Sequence, residues 1–399
     1  MNYTLTPQLK HIALVKIATT LWNQDDIRAL MAKFYFPLLD SEIREKWQEI
    51  EDKVIERVSQ LSQPEPLKKE ILGFIKPIGL QILKWIEYHR NFLTGSYVKK
   101  NLSRLFWTRQ GTVDKKKTAE ALIKNESIDI TSCYRLACIY CLEGDVRELW
   151  DSMPERKKTA FYNDGHPSFS QEHVLVMFWT YDIKGEVARL NDLIKKIKGN
   201  EMSPYQFAFE YAAIGGNKAA TEYFLQKLTP REREESLVRY AGYVAHRRNS
   251  ARKRSDFPKE FYADVLCFLL SQMDEEQQTE VFESYPYKVL KCFLDWPWQS
   301  LFMEIASRMW DFLPEDDYDC LLRAIIYKVI DGYKDCNYQN LFGEFWQQSP
   351  NAHKRYVIDE CDSGSLLSKL FKIKDKKNLS LVLKYAATLV EKQENDFLL

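Results

Sequence analysis

The stretch YCLEGDVREL, Tyr140 to Leu149, returns 41 residues later as YDIKGEVARL, Tyr181 to Leu190. Both fit Tyr-x3-Gly-acid-Val-x2-Leu, and a looser third copy runs from Tyr211 through Gly215, Gly216 and Asn217. Each copy joins two segments whose apolar residues recur every three or four positions, the spacing of one helix face. Glycine after an apolar turn supplies the left-handed position that ends a helix, and the adjacent Asp, Glu or Asn can cap the next one. Gly144, Gly185 and Gly215 or Gly216 are therefore expected at helix ends with positive φ, as structural turn residues.

A second phrase closes the helix that follows: MPERKK at 153, LTPRERE at 228, MDEEQQ at 273 and LPEDDY at 313. Met or Leu ends an apolar face, Pro or Asp opens the next helix, and carboxylates in its first turn complement the helix dipole. Recurrence at about 40 residues is the mark of stacked helical hairpins. Alternating runs bounded by turn pairs, the mark of strands, are almost absent. The chain is read as all-α: an irregular α-solenoid of helical hairpins over 118–399, preceded by an N-terminal helical bundle over 1–107, with a sub-boundary at 246–258. The breaks LSQPEP (61–66), TRQGTVDKKK (108–117), 154–170 and HRRNSARKRSDFP (246–258) are rich in turn-forming or charged residues. Pro77 is expected to kink a long apolar helix or to begin a new one.

With 399 residues, 45% of them hydrophobic, the chain has enough apolar surface for a large core. Its 57 basic and 57 acidic residues cancel, so no overall field draws it to nucleic acid or anionic membrane. The zero hides a segregation: Arg231 to Arg254 carries eight basic and three acidic residues, whereas Met273 to Asp319 carries twelve acidic and three basic. Such poles can steer a partner or meet each other in self-association. Arg247, Arg248, Arg252, Lys253 and Arg254 form a candidate basic patch, suited to phosphate backbones or nuclear import. SKLFKIKDKK (368–377) makes a second basic spot, and both also read as solvated loops. The eight cysteines lie mostly in apolar helical segments, as reduced buried thiols do in the cytosol or nucleus. No basic-then-apolar leader opens the chain, and no apolar run nears the roughly 20 residues that span a bilayer. A soluble protein of the cytoplasm, or of the nucleus, without a membrane partner is expected.

The nearest approach to a site signature is Cys133, Cys138 and Cys141 with His166 and His173, because zinc takes four thiolate or imidazole ligands. On a helix Cys138 and Cys141 share a face while Cys133 points elsewhere, which favours buried thiols over a metal site. No Gly-x-Ser-x-Gly, Gly-x-Gly-x2-Gly, Walker loop or His-Glu-x2-His occurs, and CDSGS (361–365) reads as a helix break. Carboxylate pairs such as Asp25-Asp26 and Asp316-Asp317 stand at helix starts, where capping explains them. The rings of DWPWQSLF, from Asp295 to Phe302, read as core.

In YAAIGGNKAATEYFLQKL, Ala212, Ala213, Gly216 and Asn217 resemble the Ala-Ala-x2-Gly-His/Asn helix junction of ankyrin-like repeats. YRLACIYCLEGDVRELW, LKHIALVKIA and CFLDWPWQSLFMEIASRMW resemble segments of uncharacterised all-helical repeat proteins from spiders. The stretch around 130–150 is also similar to the helical repeats of the cytoplasmic incompatibility factor A proteins of arthropod endosymbionts. These resemblances imply an all-α repeat surface that works by binding, and they bring no catalytic residue. The expected function is non-enzymatic recognition of a protein partner along a curved repeat surface, with no cofactor or metal. The alternative is a nucleic-acid-binding or nucleolytic effector that uses the basic cluster at 247–254.

Overall fold

A computed structural model describes residues 3–360 apart from 4, 6, 35–39, 90–101, 126–127, 162–170, 200, 250–260 and 331. Among the described residues the structure is all-α, and the one extended pairing is an isolated bridge between Trp107 and Val113. No described helix is long and apolar enough to cross a membrane.

Helices α1 (Leu9–Trp22), α2 (Asp25–Lys33), α3 (Asp40–Ser59) and α4 (Glu65–His89) build the N-terminal unit. Helix α4 runs through Pro77, so no new helix begins there. Ile71, Ile75, Ile78, Ile82 and Ile86 recur every three or four residues and form the buried stripe of α4, which packs on α1 and α3. Trp22 ties these helices together: its indole donates to the Ile75 carbonyl at 3.0 Å, and its ring stacks on Trp47 at 5.5 Å.

After α5 (Lys115–Ile123) come the hairpins. Helix α6 (Ile130–Ile139) pairs with α7 (Glu143–Ser152), and a single turn, α8 (Glu155–Lys158), follows. Helix α9 (Gln171–Ile183) pairs with α10 (Val187–Lys198), α11 (Pro204–Ile214) with α12 (Lys218–Leu225), and α13 (Pro230–Asn249) with α14 (Phe261–Ser271). Helices α15 (Glu275–Ser284), α16 (Pro286–Cys292), α17 (Phe302–Ser307), α18 (Glu315–Ile330), α19 (Tyr338–Gln348) and α20 (Asn351–Arg355) follow. The leading helices pack in series, α6 on α9, α9 on α11, α11 on α13, α13 on α16 and α16 on α18. Buried polar groups fix their register. Glu210 of α11 pairs with Lys198 of α10 at 3.0 Å and with Arg239 of α13 at 2.8 Å, and the Asn217 amide donates to the Ile139 carbonyl at 2.8 Å.

The joints between paired helices depart from the motif register. Gly185 and Gly216 have positive φ, at 70° and 67°, as expected, whereas Gly215 is right-handed at −87°. Gly144 is the exception: it lies inside α7, and the left-handed residue of that joint is Cys141, with φ 52°. The backbone bonding shows which residues are equivalent. Leu142 donates to the Ala137 carbonyl at 2.9 Å, Glu186 to Tyr181 at 3.0 Å and Asn217 to Ala212 at 3.0 Å, each the six-residue closure of a helix end. Cys141, Gly185 and Gly216 are thus counterparts, and the sequence alignment that matched Gly144 to Gly185 is slipped by three residues. A left-handed β-carbon costs about 1–2 kcal/mol, which the buried packing of Cys141 offsets. Replacing Gly144 by alanine is accordingly expected to stabilise α7 by about 0.5 kcal/mol, because its side meets open space and helix propensity improves. Gly185→Ala is expected to cost about 1 kcal/mol, since its φ is left-handed. Urea midpoints of the two variants check the contrast.

The closing phrases open helices as read. Thr229 and Glu232 exchange hydrogen bonds at the start of α13, Asp274 and Gln277 form a capping box at α15, and Glu315, Asp316 and Asp317 fill the first turn of α18.

The N-terminal unit also meets the far end of the series. The Tyr3 hydroxyl donates to Gln278 at 3.0 Å, and the Trp296 indole donates to the Gly111 carbonyl at 3.2 Å while its ring stacks on His11. A β-carbon on Gly73 would lie 2.7 Å from the Lys334 carbonyl, so α4 and the turn before α19 approach backbone to backbone. Beside that contact the Tyr333 ring lies under the Lys76 and Lys328 ammoniums, at 4.5 and 4.2 Å.

Candidate functional site

One member of the basic patch, Arg248, is turned into the core. Arg248 is 3% exposed and forms a two-pronged pair with Asp295, which is fully buried; its Nη2 donates to Oδ1 at 2.7 Å and its Nε to Oδ2. The cause is helical register: Ala241, Val244, Ala245 and Arg248 share the buried stripe of α13. Arg248 therefore cannot reach a phosphate backbone, and Arg247 alone of the described pair is exposed. Arg252, Lys253 and Arg254 lie outside the described residues, as do 361–365, 368–377, His166 and the His173 side chain. Cys133, Cys138 and Cys141 are buried, and burial pushes all three thiols up, Cys133 to about 11 and the other two further. No group of three metal-ligating side chains occurs among the described residues.

Two other places gather functional groups. The first is a face shared by three hairpins. Tyr223 of α12 donates its hydroxyl to Glu143 at the start of α7 at 2.8 Å, and this bond holds the Glu143 carboxyl below the usual range. Asp182 at the end of α9 and Tyr205 at the start of α11 lie within electrostatic reach of Glu143 and of each other. Partial burial holds the Asp182 carboxyl above the usual carboxylate range, with Arg147 opposing the shift and Glu143 adding to it. Asp182 has no ion pair among the described residues, and the Tyr205 ring is 39% exposed. Lys227 covers the neighbouring Tyr223 ring at 5.2 Å.

The second is a cleft of about 690 Å³ between the segment 108–118, the first turn of α12, helix α14 and the Pro297-Trp298 turn, with Tyr3 and Leu5 along one edge. On its floor Tyr140 donates to His89 Nε2 at 2.8 Å, and His89 Nδ1 donates to the Trp85 carbonyl at 2.7 Å. Burial drives His89 down to about 3, which keeps the imidazole neutral and fixes this tautomer. Lys115, first residue of α5, is brought down to about 7, mainly by burial; Asp264 opposes that shift while Lys84 and Lys218 add to it. Asp264 in turn accepts the Trp298 indole at 2.8 Å.

The cleft gathers residues far apart in the chain, among them Tyr140, Gly216 and Asn217 of the repeated motif and Trp298 of DWPWQSLF, which read from sequence as helix joints and core and not as one site. One signal was nevertheless present. Lys115, Lys116 and Lys117 occupy the first turn of a helix, where positive charge opposes the dipole. Such a local conflict marks a position kept for something other than stability. No protein-family model matches the chain, and no curated protein is significantly similar to it.

Proposed function

We propose that the protein is a non-enzymatic recognition scaffold, an irregular α-solenoid whose helical hairpins present a composite face to a protein partner. The observation that carries this reading is the convergence of Glu143, Asp182, Tyr205 and Tyr223 from three hairpins. A partly dehydrated carboxylate beside an exposed tyrosine ring suits a lysine or arginine side chain of the partner, held by charge and by the ring face. The groups are pinned by the hairpin packing beneath them, so little ordering is needed on binding. Tyrosine beside charge is also the composition of interface hot spots.

The test is affinity capture with wild-type protein, with Asp182→Lys and with Tyr205→Ala. Each change is expected to weaken capture of the same partner about tenfold or more while leaving the melting temperature unchanged. An unchanged set of captured proteins would refute the assignment, and so would hydrolytic turnover abolished by a single substitution. Retention of RNA or DNA that falls steeply with salt would instead favour the basic cluster around Arg247.

A further inference from the structure

The segment before α1 reaches the far hairpins and lies along the edge of the cleft, which Tyr3 and Leu5 help to line. Two contacts tie it down. The Leu5 carbonyl accepts the Gln110 side-chain amide at 3.0 Å, and the Tyr3 hydroxyl donates to Gln278 Oε1 on α15 at 3.0 Å. The anchors are two residues apart, at most about 7 Å of extended chain, so the segment bridges the 108–118 wall and the α14 side at close range. Trp296 with Gly111, and Gly73 with Lys334, join the two ends of the fold independently of it.

Tyr3 is 4% exposed and sits in a socket whose polar end is built without it. Gln278 is 3% exposed, and its Nε2 donates to the Leu270 and Met273 carbonyls at the end of α14, at 3.1 and 3.2 Å. These bonds use both amide hydrogens and fix which way the amide faces. Its Oε1 is thereby turned to the phenol, and it takes Arg308 Nη1 at 2.9 Å as its other donor. The capping box of Asp274 and Gln277 holds this first turn of α15 in place. Phe293 flanks the Tyr3 ring, with centroids 6.5 Å apart. Burial pushes the Tyr3 phenol up to about 12, with Arg308 opposing the shift, so the hydroxyl stays a donor. Without that phenol one lone pair of a buried oxygen loses its donor, which penalises an empty socket and any occupant that lacks a hydroxyl.

We propose that the segment before α1 is a releasable strap on the edge of the cleft, with Tyr3 as the plug of a tyrosine-selective socket at Gln278. Beside the plug lies Cys267 of α14, which lines the cleft, is 2% exposed and is within electrostatic reach of the Tyr3 hydroxyl. Withdrawal of Tyr3 opens that edge and bares Cys267, while the helices on either side stay packed. Two hydrogen bonds and one ring hold the strap, against the continuous apolar packing of the helices, so it is the part of this edge that opens first. The strap shares no residue with the hairpin face at Tyr205, and it stands whether or not that face binds a partner.

Alkylation of the native full chain, read at each cysteine by peptide mass, tests this. Cys267 is expected to react about tenfold or more faster in Tyr3→Ala than in wild type. Cys138, fully buried on α6, is expected to keep its wild-type rate. Tyr3→Phe keeps the ring and loses only the hydrogen bond, so as the second variant it is expected to fall between the two. The blocked peptide MNYTLTPQ, residues 1–8, at millimolar concentration is expected to slow Cys267 in Tyr3→Ala back toward the wild-type rate. The same peptide with phenylalanine in place of tyrosine is expected to protect about tenfold less well. A wild-type rate at Cys267 in both variants, equal acceleration at Cys138, or failure of the tyrosine peptide to protect better than its phenylalanine counterpart would overturn the proposal.

Discussion

Asp295→Ala is expected to cost about 3–5 kcal/mol of unfolding free energy. The substitution removes the carboxylate that accepts two donors of the Arg248 guanidinium, which is 3% exposed. The pair itself is not the source of that number. Two charges brought out of water recover little more than their lost hydration, so the double variant Arg248→Met with Asp295→Leu is expected to lie close to wild type. Urea unfolding of the single and double variants separates the two statements. A single variant within about 1 kcal/mol of wild type would mean that solvent reaches Arg248.

The second large effect depends on pH. Glu51 on α3 is 5% exposed, and burial raises its carboxyl from about 4.5 to about 7; Lys76 on α4 opposes the shift and Asp52 adds to it. Between these values the folded chain holds a proton that the unfolded chain has released. Stability therefore falls as pH rises from about 4.5 to about 7 and is level above that. The full drop from this group is about 3 kcal/mol. Glu51→Gln keeps the shape and removes the charge, so it is expected to stabilise the protein by about that amount at pH 8 and to change little at pH 4. Urea midpoints of both proteins across that range provide the check, and parallel curves would show that Glu51 is hydrated in the folded state.

Most of the fold was readable because its signals are local. The apolar period of α4, the capping pairs of LTPRERE and MDEEQQ, and the glycines at 185 and 216 each act within a turn or two of themselves. Gly144 misled because the same letters recur in a different phase: the joint after α6 closes three residues earlier, on Cys141, and no residue preference announces a left-handed cysteine. Arg248 misled because a run of basic letters reads as one surface, whereas a helix of 3.6 residues per turn sends its members to opposite sides. The face at Tyr205 and the cleft at Lys115 are set by residues distant in the chain, which no local pattern joins. The lysines in the first turn of α5 mark one wall of the cleft through a conflict with the helix dipole.

In an open array of hairpins each unit touches its neighbours alone, so the ends can fray while the middle holds. The contacts of Tyr3 with Gln278, Gly111 with Trp296 and Gly73 with Lys334 remove that freedom here, because the first helices brace the last. Opening either end exposes apolar surface on both. Slowly exchanging amides should therefore share one opening energy from α4 to α18, and the molecule should melt as a single cooperative block.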